Sequence, residues 1–161
     1  MGDVQNFGGR LVVLFDGRCG LCNRSVRWLL RRDRGDRLRF VASESAKGAE
    51  LVARLGFAEA GPDELGPKLS RGNLPGTVPD TILVVRDLGG PAERILGRSD
   101  AVVALLAELP GPWPAVAAAL GWIPRPLRDL GYRLVARCRY RIWGRLEKCP
   151  VPTSEERKRF L

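Results

Sequence analysis

A short apolar strand is the first element that the hydrophobic pattern predicts. Leu11–Phe15 is an uninterrupted run of apolar residues, preceded by Gly9 and followed by the polar pair Asp16-Gly17. Such a run between turn-forming residues is typical of a strand that is buried on both faces of a sheet. We therefore expect a sheet that is covered by helices.

A helical repeat begins a few residues later. Val26, Leu29 and Leu30 share one side of a helix, with Trp28 beside them, whereas four arginines point away from that side. These arginines are Arg24, Arg27, Arg31 and Arg32. The pattern predicts an amphipathic helix that ends near Asp33.

Five further elements complete the predicted core. They are a strand over 38–42, a helix over 46–55, two hairpin strands over 81–85 and 93–96, and a helix over 100–109. Gly56 is predicted to end the second helix, and Ser99 to cap the third with its side chain. The resulting β-α-β-α-β-β-α order indicates an α/β protein with a thioredoxin-like fold.

The C-terminal part of the chain has a second helical repeat. Its apolar residues recur at steps of three and four, which predicts a helix over residues 126–143. They are Leu127, Leu130, Leu134, Val135, Cys138 and Ile142. We expect one domain, with a core over 10–110 and a helical extension over 111–161 packed on it. On this stripe Cys138 is expected to be a small buried hydrophobic residue.

Composition limits the class of protein and its compartment. The chain has 161 residues, of which 45% are hydrophobic, and this is enough for the core of one domain. Four cysteines are too few for a secreted scaffold held by disulfides, and residues 1–10 lack the apolar stretch of a signal peptide. We expect a cytoplasmic protein without a transmembrane segment, since no apolar stretch approaches about 20 residues.

The net charge of +9 raises the question of an anionic partner. All but four of the 27 basic residues are arginines, which indicates a general compositional bias. Few aromatic residues lie among these arginines, so we expect no nucleic-acid partner. Seven arginines lie between residues 125 and 145. They predict a solvated helix face, with a peripheral dock for an acidic partner or a membrane surface as the alternative.

Cys19 and Cys22 lie where the first strand gives way to the first helix. Side chains three residues apart on a helix are about 5–6 Å apart, within reach of a disulfide, and the positive end of the helix dipole favours a thiolate at the first of them. We expect Cys19 to be the more exposed thiol and the nucleophile, with Cys22 as the resolving thiol.

The turn before these cysteines adds further candidates. Asp16 is predicted to cap the helix or to accept a proton, Gly17 to adopt a positive φ, and Arg18 to bring positive charge near the first thiol. Together they predict an enzyme that exchanges a dithiol with protein or small-molecule disulfides and is recycled by a reductant. Such chemistry requires no metal or organic cofactor.

Val78 and Pro79 precede the predicted strand over 81–85, after a segment over 57–79 that is dense in glycine and proline. A cis proline here would face the dithiol in a thioredoxin-like fold and expose the Val78 backbone to a substrate peptide; an ordinary trans proline at a strand entry is the alternative. The segment itself is predicted to be a lid or insertion near the site, or to contain a short helix.

Two other functions stay open. Cys138 and Cys149 could join the first pair in a four-thiolate metal site, which would need all four cysteines or a carboxylate because the chain has no histidine. Alternatively, the domain is a non-catalytic adaptor that docks through its arginine-rich C-terminal helix. Cys149 is also a candidate third redox thiol beside Arg145 and Lys148.

The run Asp16-Gly17-Arg18-Cys19-Gly20-Leu21-Cys22-Asn23 resembles the motif of the DCC family of thiol-disulfide oxidoreductases. The resemblance covers residues 11–161 and includes the segments 31–34, 98–101, 139–144 and 149–153. It implies a thioredoxin-like fold and a protein-disulfide reductase activity, with Gly17, Arg18 and Asn23 as supporting motif residues. Cys138 departs from the polar residue expected before Arg-Tyr.

Overall fold

The computed structural model describes residues 9–55, 82–147 and 152–161. Within these ranges the chain forms four strands, five α-helices and a short 3₁₀-helix. In order they are β1 Leu11–Phe15, α1 Gly20–Arg32, β2 Leu38–Ala42, α2 Ala46–Arg54, β3 Leu83–Arg86, β4 Arg94–Gly97, α3 Arg98–Glu108, α4 Trp113–Trp122, α5 Arg125–Trp143 and the 3₁₀-helix Glu156–Arg159. The first seven follow the predicted β-α-β-α-β-β-α order.

The strands form one mixed sheet in the order β2-β1-β3-β4. β1 is central, pairs in parallel with β2 and antiparallel with β3, and β3 continues antiparallel to β4. The register places Val13 between Phe40 on one side and Val84 on the other. All five residues of β1 are buried, which confirms the prediction of a strand covered on both faces.

Helices cover the two faces of this sheet, and the alternating side chains of β1 divide the core between them. Val12 and Leu14 belong to a cluster that includes residues of α2. Val13 and Phe15 point the other way, into a cluster built with α1 and α3. The arrangement is a thioredoxin-like α/β fold, as the order of elements predicted, and it places the carboxyl end of β1 next to the first turn of α1.

The third helix begins differently from the prediction. α3 starts at Arg98 directly after β4, and Gly97 precedes it without a side-chain cap. The Ser99 hydroxyl instead donates a hydrogen bond to Asp129 Oδ1 of α5. The prediction of Ser99 as an N-cap is therefore wrong, because this residue lies inside the first turn and its hydroxyl joins two helices.

Helix α4 was not predicted as a separate helix within the expected helical extension over 111–161. Its Pro114 lies in the first turn, where the N–H that a proline lacks has no helical partner. α4 packs on α3. Its Trp113 also packs edge to face against Trp28 of α1, with 4.6 Å between the ring centroids. Helix α4 therefore contacts both α1 and α3.

Helix α5 confirms the predicted helix, but its apolar stripe faces away from the core. Leu127, Leu130 and Leu134 are 60%, 59% and 65% exposed. The opposite side of α5 contacts α1 and α3 and includes Arg139, which is 3% exposed. The stripe is therefore not the packing face, and Cys138 on it is half-buried rather than buried as expected.

The arginines of α5 divide into two groups. Arg125 and Arg128 form ion pairs with Asp100 of α3, the second at 3.1 Å, and Arg139 is buried. The solvated face that was predicted is thus wrong for these three, because each meets a polar group of the core. Arg133, Arg137 and Arg141 are exposed as predicted.

Gly56 and the glycine- and proline-rich segment over 57–79 lie outside the described residues. Strands β3 and β4 begin and end within two residues of the predicted bounds.

Among the helices that the structure describes, none is both long and apolar enough to cross a membrane.

Candidate functional site

The dithiol lies at the junction of β1 and α1. Cys19 is the N-cap of α1 and has an extended backbone, and its Sγ accepts a hydrogen bond from the backbone N–H of Cys22 at 3.4 Å. Both thiols are free. Since a helix N-terminus leaves several N–H groups without backbone partners, this contact directs a donor and the positive dipole end at the first sulfur.

The burial of the two thiols is the reverse of the prediction. Cys19 is completely buried, whereas Cys22 is half-buried. The cause is the segment after α5, which lies across the cysteine turn. Leu146 N–H donates to the Arg18 carbonyl at 2.7 Å, Gly20 N–H donates to the Gly144 carbonyl at 3.4 Å, and an isolated antiparallel bridge joins Cys19 to Arg145.

Gly20 allows this close approach. A Cβ built at Gly20 would lie 2.3 Å from the carbonyl oxygen of Trp143, closer than any real Cβ contact. The chain then leaves α5 through Gly144, whose φ of 72° is in the left-handed region that glycine adopts without strain. Glycine at both positions lets two backbones meet directly over the dithiol.

The turn that presents Cys19 is held by side chains of the motif. Asp16 Oδ1 accepts a hydrogen bond from the Arg18 N–H at 2.9 Å, which closes the turn. Asn23 Nδ2 donates to the Gly17 carbonyl at 2.6 Å and to the Cys19 carbonyl at 3.0 Å. Asn23 thus ties the turn to the first turn of α1.

Gly17 and Arg18 differ from their predicted roles. Gly17 does not adopt a positive φ; it is buried, and its N–H donates to Glu44 Oε2 at 3.1 Å. Arg18 is exposed, and its part in the site is the pair of backbone hydrogen bonds with Asp16 and Leu146.

Two residues of α5 that sequence reasoning missed complete the site. The Tyr140 hydroxyl donates a short hydrogen bond to Asp16 Oδ2, and Arg139 Nη2 donates to the Tyr140 oxygen at 2.8 Å. Arg139 Nη2 also lies 3.7 Å from Asp16 Oδ2. One signal was present in the sequence, because both residues lie within a segment shared with the DCC family.

The surroundings of Cys22 favour its protonated form. Burial of the thiol is the main cause of a raised pKa at Cys22, and the hydrogen bond and charge of Cys19 raise this pKa further. The Arg139 guanidinium lowers the pKa of Cys22, and the Asp16 carboxylate raises it. Cys22 is therefore a thiol that keeps its proton until a neighbouring charge changes.

Several predicted residues are not brought to this site. Val78, Pro79 and Cys149 lie outside the described residues, so the predicted cis bond and third redox thiol stay predictions. Cys138 lies on α5 as a free thiol. Within the part of the chain that the structure describes, no three cysteine or carboxylate side chains come together as a metal ion would require.

Comparison with known proteins identifies the family. A family model described as DCC1-like thiol-disulfide oxidoreductase matches residues 13–145, which include the cysteine pair and Tyr140. YuxK of Bacillus subtilis strain 168, an uncharacterized protein, is 28% identical over 150 residues that cover 93% of each chain. A chloroplastic DCC family protein of Arabidopsis thaliana is 32% identical over 142 residues, covering 88% of this chain and 70% of the plant protein.

No solved structure matches the chain. The family match spans the sheet, the cysteine turn and the inner face of α5, which are the parts that build the site. On this match and on the resemblance of its motif, the chain belongs to the DCC1-like thiol-disulfide oxidoreductase family.

Proposed function

We propose that this protein is a dithiol-disulfide oxidoreductase that exchanges the Cys19/Cys22 pair with disulfides of proteins or small molecules. The observation that carries the proposal is the hydrogen bond from Cys22 N–H to Cys19 Sγ at 3.4 Å, between two free thiols at the start of α1. The family name supports the same class of reaction.

The proposed reaction has two exchange steps. The Cys19 thiolate attacks one sulfur of the substrate disulfide, forms a mixed disulfide and releases the other substrate sulfur as a thiolate. Cys22 then loses its proton and attacks Cys19 Sγ, which forms the Cys19–Cys22 disulfide and releases the second substrate thiolate. Two electrons pass to the substrate, and a dithiol reductant restores the pair by the reverse sequence of exchanges.

The order of the two thiols follows from their surroundings. Cys19 is the N-cap of α1 and its Sγ accepts a backbone hydrogen bond there, whereas burial and the neighbouring Cys19 raise the pKa of Cys22. Because Cys19 is completely buried, a substrate disulfide reaches its sulfur only if the covering segment moves. We therefore infer that residues 144–146, held to the cysteine turn by two backbone hydrogen bonds, separate from it when a substrate binds.

Asp16 is the proposed proton acceptor for Cys22. Its charge raises the pKa of Cys22, so the two groups interact, and protonation of the carboxylate would remove that effect as the thiolate forms. Tyr140 and Arg139 act as positioning residues, since they hold Asp16 Oδ2 from the side of α5. Val78 and Pro79 remain the proposed substrate-binding residues, and a reducing compartment such as the cytoplasm suits the reductase direction.

The roles of the two thiols are tested by trapping. Cys22→Ser lacks the resolving thiol, so incubation with glutathione disulfide should leave a glutathione adduct on Cys19, read by intact-protein mass spectrometry. Cys19→Ser is the matched control and should form its adduct on Cys22 far more slowly, because Cys22 holds its proton. Faster adduct formation in Cys19→Ser would reverse the roles, and no adduct in either variant would reject the reaction.

A further inference from the structure

The outer face of helices α4 and α5 is unlike the rest of the described surface. It consists of large apolar side chains exposed to solvent, namely Trp122, Ile123, Leu127, Leu130, Leu134, Val135 and Ile142. Trp122, at the end of α4, is 90% exposed. A concentration of large exposed apolar side chains of this kind marks a binding surface rather than an ordinary solvent-facing helix.

The charges around this outer face are of one sign. Arg133, Arg137 and Arg141 recur at steps of four along α5 and are all exposed. A step of four residues places them in a row on one flank of the apolar stripe. Asp129 is the one acidic residue of α4 and α5, and it accepts a hydrogen bond from Ser99 of α3, so its charge is turned toward the core.

We propose that the outer face of α4 and α5 docks on an anionic membrane surface, with the helices lying in the plane of the interface. An amphipathic helix that has leucine and tryptophan on one side and arginine beside them binds at the boundary between headgroups and acyl chains. The apolar side chains enter that boundary, and the arginine row meets lipid phosphates and anionic headgroups.

Charge favours a membrane over a second copy of the chain. Two outer faces packed antiparallel would bring two arginine rows close to each other, with no exposed acidic side chain on α4 or α5 to neutralise them. An acidic protein would satisfy the arginines, but it would not by itself require an exposed tryptophan and a stripe of leucines. An anionic lipid surface satisfies both features at once.

The docked orientation places the dithiol on the side of α5 that faces away from the membrane. The inner face of α5 contacts α1 and carries Arg139 and Tyr140 against the cysteine turn, so the docking face and the dithiol lie on opposite sides of one helix. A helix with its side chains is about 10–12 Å across, and this sets the scale of their separation. Docking does not depend on the redox reaction.

Vesicle binding tests this proposal. The full chain should co-sediment with vesicles of phosphatidylcholine mixed with phosphatidylglycerol and much less with pure phosphatidylcholine. Its tryptophan fluorescence should shift to shorter wavelength on binding, and Trp122→Phe should remove most of that shift. Leu130→Ser with Leu134→Ser should abolish the shift while leaving the fold intact, since both leucines are mostly exposed. Cys19→Ser with Cys22→Ser should bind like the unaltered chain, whichever result the redox tests give.

Arginine variants test whether binding depends on the arginine row of α5 or only on the net charge of the protein. Arg137→Gln with Arg141→Gln should weaken binding about fivefold for each arginine removed. Arg24→Gln with Arg27→Gln, exposed on α1, removes the same charge and should have little effect. Equal loss in both pairs, or vesicle binding that survives loss of the leucines, would overturn the proposal, because either result would show adsorption by charge alone. A dimer that binds no vesicle would also overturn it and would indicate a second copy of the chain.

Discussion

At Gly20, the lack of a side chain brings two distant parts of the chain together. The Trp143 carbonyl occupies the space that a Cβ would need, and the segment that follows covers Cys19. A glycine is therefore required directly after Cys19 because of a backbone more than 120 positions later in the sequence. A local pattern predicts the turn here, but not the contact that makes glycine necessary.

Gly20→Ala should destabilise the protein and uncover Cys19. The added methyl group forces the segment 144–146 away from the cysteine turn, at a cost of about 1–3 kcal/mol for overpacking. Urea unfolding measures the loss, and alkylation of Cys19 should become faster. Gly131→Ala in α5, where a Cβ meets nothing within 4 Å, is the control and should be neutral or slightly stabilising. Equal stability of the two variants would contradict the contact.

Cys22 should make the free energy of unfolding decrease at alkaline pH. Burial and Cys19 raise the pKa of Cys22 above its ordinary value of 9.0, so the folded chain holds this proton more tightly than the unfolded chain. The resulting stabilisation is complete below pH 9.0 and is lost as the pH rises above that value. In urea unfolding of the reduced protein, Cys22→Ser should show a weaker decline above pH 9.0. Identical pH profiles would show that the thiol is not perturbed.

At the scale of elements, α5 shows what periodicity can and cannot predict. The repeat of Leu127, Leu130 and Leu134 correctly predicts the helix, yet this stripe faces outward and the polar side packs inward. Periodicity identifies two faces but not which of them meets the core. β1, α1 and β2 were predicted closely because each pattern is complete within a few residues, whereas α4 was missed because Pro112 and Pro114 resemble a chain break.

Tyr140→Phe should slow the second exchange step. Without the Tyr140 hydroxyl, Asp16 Oδ2 loses a donor, and we expect resolution of a Cys19 mixed disulfide to slow by at least about tenfold, with a displaced pH profile. The measurement is the rate of glutathione release from the Cys19 adduct.

The matched control for this experiment is Tyr132→Phe on the same helix. The Tyr132 hydroxyl accepts a hydrogen bond from the Ile82 N–H, just before β3. Both substitutions should cost similar stability, about 1–3 kcal/mol for a polar group left unpaired, but only Tyr140→Phe should change the resolution rate and its pH profile. Equal rates in the two variants would make Tyr140 a purely structural residue.

At the scale of the whole molecule, the site forms where the two ends of the fold meet. Cys19, Cys22 and Asp16 follow from the strand-to-helix junction, so the sequence predicted their position. Tyr140 lies 124 residues from Asp16, and no local pattern links such residues. The burial of Cys19 has the same origin, because the covering segment comes from beyond α5. The sequence therefore predicted where the two thiols lie but not the residues that cover them and hold Asp16.

The most direct test of this account follows each cysteine by alkylation and mass spectrometry in glutathione redox buffers. We expect Cys19 and Cys22 to lose reactivity together, as one disulfide with a midpoint between roughly −120 and −300 mV, while Cys138 stays alkylatable. If Cys19 and Cys22 remain separately alkylatable across that range, they are not a working redox pair, and the proposed oxidoreductase function is wrong.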